Sequence, residues 1–355
     1  MMKIKLVILD KDKNYLQRIT KVFVNNYVDK LEVYSFTEQD KVFEFIEKNK
    51  VDIFLADEIF NIDCDVLPMS VGFAYLVENN GIELLREQKV IFKFQKADLI
   101  YKQLLGIFSE RESEVIGTSA VGDSSTNVIA VVSASGGTGS STIAAALAKR
   151  LSQQMRKVLY LNLECFGDAD MFFCGEGQMD FSDIIYALKG KNANLQLKIE
   201  STVKQDVSGV YFFSHVRNAL DISEMTTEDY IKLIETLKVV GGYDYIIMDI
   251  DFSYSNQCLA MLKMAHKILF VSDGLEISNV KLERALTSLK ILDSTGKSNY
   301  YDKSMLMYNR FSSKNSQAFS GIAIKEIGGV PRFDGALITQ ILDRISDMEV
   351  LDRLT

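Results

Sequence analysis

The chain has 355 residues, 47% of them hydrophobic and 25% charged, with 2 prolines and 21 glycines. That usage is globular and leaves room for two domains of roughly 150 residues; it excludes a disordered chain, a collagen-like chain and a coiled-coil rod. A net charge of −8 excludes a whole-protein basic field for nucleic acid or anionic lipid, and no apolar run reaches the ~18 residues of a membrane helix. Cys64, Cys165, Cys174 and Cys258 are scattered and form no CxxC pair, and His215 and His266 are the only histidines, so metal-ligand spacing is absent and the thiols read as reduced residues of a cytoplasmic protein.

Lys3–Leu9 is a continuous apolar run that stops at Asp10, the signature of a buried strand. Helical spacing follows over Asn14–Asn26, then a strand at Leu31–Phe36, a helix at Glu38–Asn49 and a second buried strand at Val51–Ala56, which leads to Asp57. Phe73–Val77 and Lys89–Phe94 read as strands, and Ala97–Phe108 as a closing helix. Alternation of strands and helices implies a parallel sheet, here over residues 1–108. Residues 109–127 are rich in Ser, Gly and Glu and read as a linker. Over residues 128–355 a second series begins, with strands at Val128–Ser133, Val158–Leu163, Val210–Phe213, Tyr245–Ile250, Ile268–Val271 and Ser304–Tyr308 and a helix at Ser141–Gln153. The fold class is α/β, two doubly wound parallel-sheet domains.

The sharpest motif is the strand that runs into Gly136, Gly137, Thr138 and Gly139 and opens an alanine-rich helix at Ser140, Ser141 and Thr142. Glycines permit left-handed turns and close approach of a phosphate, and the helix N-terminus attracts an anion. A tight turn without ligand is the plain alternative. Two ligands fit. As an imperfect GxGxxG, with Glu164 closing the next strand where a ribose-binding acid belongs, the loop implies an NAD(P)-binding oxidoreductase. As a P-loop variant with Ser140 in the lysine position, it implies a nucleotide. Tyr243–Asp249 then favours the second reading, because an apolar strand ending in Asp249 fits a Walker B acid that holds magnesium.

Ser135–Thr142 resembles the deviant Walker A motif KGGxGKTT of the ParA/MinD ATPases. Leu159–Glu164 stands where that family has its second acidic motif, which marks Asn162 and Glu164 as catalytic candidates. Asp249 matches its Walker B acid, and Ser141 with Asp249 would hold Mg²⁺. Met307–Arg310 resembles the strand whose asparagine, here Asn309, reads adenine. Gly328–Arg332 resembles the loop that closes over the base, with Pro331 and Arg332 at its end. A receiver-like domain in front is the arrangement of the TadZ/CpaE branch, and Ser182–Tyr186 and the missing lysines are similar to it as well. The resemblance implies an ATP-binding homodimer that localises and assembles the machinery of Flp (tight-adherence) pili, in the cytoplasm or recruited to the inner membrane face or a cell pole. The signature and phosphate-binding lysines are Ser135 and Ser140 here. A lost charge-assisted contact weakens binding by roughly 1.5–3 kcal/mol, and a lost transition-state donor costs roughly 10²–10³ in rate. The expectation is a scaffold that binds ATP with weak or absent hydrolysis.

Receivers need an acid pair, a phosphoacceptor Asp, a hydroxyl and a lysine. Asp57 is in place, but Lys11 separates Asp10 from Asp12, Val77–Asn79 lacks a hydroxyl, and either Lys93 or Lys96 supplies the amine. A docking domain is expected rather than a working switch; a response regulator with an ATPase-fold output domain is the competing reading. The segment Ile338–Leu354 is amphipathic but acidic, which opposes anionic lipid and implies a packed terminal helix.

Overall fold

The computed structural model describes residues 3–110, 126–190, 194–296 and 298–354. Its contacts divide the chain into two units, Met1–Gly117 with Gly190–Ser201, and Thr118–Lys189 with Thr202–Thr355.

The first unit opens as the sequence implies, with β1 (Ile4–Leu9), α1 (Lys13–Asn26), β2 (Leu31–Phe36), α2 (Gln39–Lys48) and β3 (Ile53–Asp57). Asp12 starts α1 by accepting hydrogen bonds from the amides of Asn14 and Tyr15 at 2.8 and 3.2 Å, which satisfies donors the first turn leaves unpaired. Past β3 the alternation stops. The link to β4 (Gly72–Val77) contains one 3₁₀ turn, Cys64–Val66, and β4 leads into a hairpin of β5 (Leu84–Leu85) and β6 (Gln88–Phe92) before α3 (Ala97–Ser109). The sheet order is β2-β1-β3-β4-β6-β5, parallel except for β5 against β6. The wholly parallel sheet implied by the sequence is thus mixed at one edge. Arg86 and Glu87 make the two-residue turn, both at positive φ, which is the backbone a type I′ hairpin requires. Leu6, Ile8 and Leu55 pack beneath α1 and α3, while Val7, Phe54 and Tyr75 pack beneath α2 and residues Phe60 and Ile62.

The second unit starts with β7 (Asn127–Val132), α4 (Ser140–Gln153), β8 (Val158–Asn162) and α5 (Phe181–Lys189). Most of the expected linker, residues 111–125, lies outside the described residues. α6 (Leu195–Thr202) follows and lies largely in the segment grouped with the first unit, where Leu197 packs against the α1/α3 core and Lys198 lies 3.5 Å from Glu110. The chain continues through β9 (Lys204–Gln205), β10 (Tyr211–Phe212), α7 (Ala219–Ser223), α8 (Thr227–Val239), β11 (Tyr245–Asp249), α9 (Asn256–Met264), β12 (Lys267–Ser272), α10 (Glu276–Ser294), β13 (Ser304–Phe311), β14 (Lys325–Pro331) and α11 (Ile338–Ser346).

The strand order is β14-β13-β12-β7-β11-β8-β10-β9, antiparallel only at β9. The chain leaves β7 for β8 on one side, whereas β12 lies on the other. The C-terminal end of β7 is therefore the switch point where open α/β sheets take their ligands. β11 separates β7 from β8. In the dinucleotide-binding order the first two strands are neighbours, so this topology argues against the NAD(P) reading.

Two further expectations change at the C-terminal end. Gly328–Pro331 forms part of β14, paired with β13, and is not a loop; the loop begins at Arg332. The terminal helix ends at Ser346 and continues after a break as a 3₁₀ segment, Glu349–Leu354. Its acids face α4: Lys149 pairs with Asp343, and Arg150 grips Asp352 through two bonds of 2.8 and 2.7 Å. Leu342, Ile345, Leu351 and Leu354 are buried beneath.

Candidate functional site

The cradle is made by three local choices. Gly137 and Gly139 sit at φ of 80° and 82°, the left-handed region that excludes most side chains. Gly136 and Gly137 face open space where a Cβ would stand, whereas a Cβ on Gly139 would run into the Asn309 amide. Thr138 is buried and donates to the Ser133 hydroxyl at 2.9 Å, and that hydroxyl lies 2.8 Å from the carbonyls of Ser135 and Val271. The loop is thus tied to β7 and β12 from beneath while its glycine face stays open. Gly139 leads straight into α4, whose unpaired first-turn amides point along the loop.

A cavity of about 460 Å³ opens beside the loop. Gly137, Thr142, Asn309, Arg310, Pro331 and Arg332 all contribute to its lining, so five residues expected from the sequence meet at one place. Asn309 also touches the loop directly. It is buried, and its Nδ2 donates to the carbonyls of Thr138 at 2.8 Å and Gly139 at 3.4 Å, so the amide braces the loop.

On the other side of the loop the carboxylates gather. The register of β11 against β8 sets Asp249 opposite Asn162, and Tyr160, two residues earlier on β8, shares that face. Tyr160 donates to Asp249 Oδ2 at 2.7 Å, and Asn162 Nδ2 lies 3.2 Å from the same oxygen. Asp249 is 0% exposed, and its Oδ1 has no hydrogen-bond partner. Ser141, at the start of α4, commits its hydroxyl to Glu164 at 2.8 Å. Burial pushes the Asp249 carboxyl well above the usual range, and the charge of Glu164 pushes it further. Glu164 is raised too, by burial first, with Asp251 adding repulsion that the Ser141 bond only partly relieves. Asp251 in turn receives the Cys165 amide at 3.0 Å, fixing the turn after Glu164. Sequence reasoning missed Tyr160, Asp251 and Arg310, because what makes them matter is cross-strand register and a distortion of β13.

The donor set fits a magnesium nucleotide on three grounds. A buried carboxylate keeps an unsatisfied oxygen, a serine hydroxyl and a second carboxylate lie against it, and two glycines leave the adjacent cradle clear. One buried and one half-buried carboxylate without a compensating charge favour a hard divalent cation.

In the first unit, Lys93 and not Lys96 closes the acid pocket. Its ammonium, 3% exposed, pairs with Asp57 and stands 2.7 Å from Asp10. Burial opposes the charge, but the hydrogen bonds the ammonium donates to Asp10 and Asp57 prevail and hold the lysine above its ordinary pKa. Asp57 Oδ1 accepts the Ile59 amide at 2.8 Å, and Asp10 Oδ1 accepts that of Asp12. Tyr15 stacks under the ammonium, its hydroxyl raised by burial and by both acids.

Comparison with known proteins agrees with both units. A ParA family ATPase from Chlorobium tepidum TLS superposes with a TM-score of 0.52 at 21% identity, covering 64% of this chain and 96% of that one. MinD in the MinC:MinD complex of Aquifex aeolicus gives 0.49 at 19% identity over 64% and 95%, and MinD of Pyrococcus horikoshii OT3, solved with Mg-ADP, gives 0.44 at 16% over 64% and 97%. No curated protein matches the chain in sequence. The second unit shares the fold of the Chlorobium tepidum ParA family ATPase. Residues 126–300 match the family model of an AAA domain, and residues 2–109 match that of the TadZ-like receiver domain. The two family matches thus fall one on each unit, the TadZ-like receiver model on the first and the AAA-domain model on the second.

Proposed function

We propose that this chain is an ATP-binding localisation and assembly factor of the TadZ/CpaE kind for Flp pili, working as a homodimer with weak or absent hydrolysis. The observation that carries the reading is the open glycine cradle set against the orphaned oxygen of Asp249. Phosphates would lie on the amides of Gly136–Thr142. Ser141 and Asp249 would hold Mg²⁺, whose charge would shield the phosphate oxygens and relieve both carboxylates. Asn162 positions Asp249, and Glu164 holds the Ser141 hydroxyl. Neither Ser135 nor Ser140 carries a charge to a phosphate, which supports binding without fast turnover.

Among the described residues no helix is long and apolar enough to cross a membrane, and the acidic terminal segment is spent on α4. Recruitment to the pilus machinery, to the inner membrane face or to a pole therefore rests on protein partners in this reading. The separation of Asp10 from Asp12 by Lys11 and the lack of a hydroxyl over Val77–Asn79 support the receiver as a docking domain over a response regulator. Calorimetric titration with ATP–Mg²⁺ and, in parallel, NAD(H) tests the proposal. Micromolar binding of ATP alone supports it; binding of NAD(H) alone overturns it in favour of an oxidoreductase.

A further inference from the structure

Arg310 stands in a backbone that arginine rarely adopts. Its φ is 57°, in the left-handed region, at a point where β13 and β14 lose register between Tyr308 and Phe311. In a regular strand Asn309 and Arg310 would point to opposite faces. Here one residue is gained on β13: Tyr308 pairs with Gly329 and Phe311 with Pro331. Such a bulge re-aims a side chain, and bulges gather next to functional sites. The result is that both residues reach the same loop. Asn309 donates to Thr138 O, and Arg310 Nη1 donates to Gly137 O at 2.8 Å.

The guanidinium lies on the glycine loop at the cavity, among Gly137 and Thr142. That bond uses one of its five donors, and among the described residues no carboxylate pairs with it. The other cavity arginine is different, because Arg332 spends its charge on Asp334 at 2.8 Å. The loop itself supplies no cation, since Ser135 and Ser140 are both neutral.

Resting on the nucleotide reading above, we infer that Arg310 is the surrogate phosphate-binding cation of this site: a guanidinium delivered from the β13 bulge to do the work for which the loop has no lysine. A guanidinium suits this role because its planar fork matches phosphate oxygens. The strained φ is then the cost of placing it, in keeping with strain held at functional sites.

The full-length chain, Arg310→Gly, Arg310→Lys and the double variant Arg310→Gly with Ser140→Lys are titrated with ATP–Mg²⁺ and with adenosine, and each is melted without ligand. Arg310→Gly is expected to weaken ATP about tenfold or more while leaving adenosine unchanged. Its ligand-free melting temperature stays level or rises, because glycine accepts the positive φ. Ser140→Lys restores ATP affinity in that background, and Arg310→Lys falls between. If ATP binding survives Arg310→Gly intact, or if ATP and adenosine weaken equally, Arg310 only braces the loop and the inference falls while the nucleotide reading stands. If the unaltered chain binds no ATP, both fall. Arg310→Gln serves as a second removal of charge should the glycine variant fail to fold, with the same expected split between ATP and adenosine.

Discussion

Two pockets of this chain gather carboxylates at the C-terminal ends of parallel strands, and they balance the charge in opposite ways. In the receiver, Asp10 and Asp57 enclose Lys93, so the pocket carries its own cation. In the second unit, Asp249 and Glu164 have a tyrosine, an asparagine and a serine around them. Hydroxyls and amides offer hydrogen bonds but no compensating charge, which is why both carboxyls are raised. The first pocket sets a lysine against its carboxylates. The second has no such internal cation, and on the proposed reading a bound one would take its place.

The sharpest way to break the contrast is to remove the internal cation. Lys93→Met leaves Asp10 and Asp57 buried and unmatched, and should cost about 3–5 kcal/mol in denaturant unfolding followed by circular dichroism. An effect below about 1 kcal/mol would mean that the receiver pocket is not held by that lysine.

Next in size, Asp249→Asn should abolish the stabilisation that Mg²⁺–ATP confers on the chain, about 2.7 kcal/mol at a hundredfold excess over Kd. Without ligand the same variant should melt at or above the parent temperature, since it removes a buried charge whose Oδ1 has no partner. Lower ligand-free stability would show that the carboxylate is already satisfied.

Two glycine substitutions sharpen the picture of the cradle. Gly139→Ala should destabilise by about 1–3 kcal/mol, because its φ is 82° and Asn309 fills the space. Gly136→Ala meets nothing within 4 Å and should fold normally while weakening nucleotide binding. Parallel melting and titration separate the two outcomes.

The smallest effect concerns an exposed version of the same problem. His215 Nδ1 stands 3.0 Å from Asp170 and 3.3 Å from Asp168, and the Asp170 hydrogen bond raises its pKa despite some desolvation. A raised folded-state value makes this stabilisation whole below the unfolded pKa of about 6.5 and lost as pH rises through the folded one. Because the pair is largely exposed, roughly half a kcal/mol should disappear between about pH 6 and pH 8. His215→Gln should flatten that part of the stability profile.

Much of the plan was legible because it lies in local runs. The apolar strands, the glycine loop, Asp57 and Asp249 are all contiguous signals, and the structure assembles them at strand ends as such patterns imply. What the sequence hid is relational. Lys93 and Lys96 look alike until the pocket selects one. Tyr160 becomes a partner of Asp249 only through the register of β8 and β11. Gly328–Pro331 carries loop-like residues, yet pairing with β13 makes it a strand. Leu197 and Lys198 reach the α1/α3 core and Glu110, contacts that no local periodicity announces. Arg310 owes its place to a bulge.

The helix behind the glycine loop has one more consequence. Ala144, Ala145, Ala146 and Ala148 are fully buried, with Ile143 and Leu147 beside them, so α4 is wedged against the sheet by small side chains in close contact. Its contact with the sheet is set by volume through uncharged residues, while Lys149 and Arg150 further along it pair with Asp343 and Asp352. A change of charge on the loop would consequently leave this alanine packing in place. A single enlargement among those alanines, by contrast, would be felt along the whole loop.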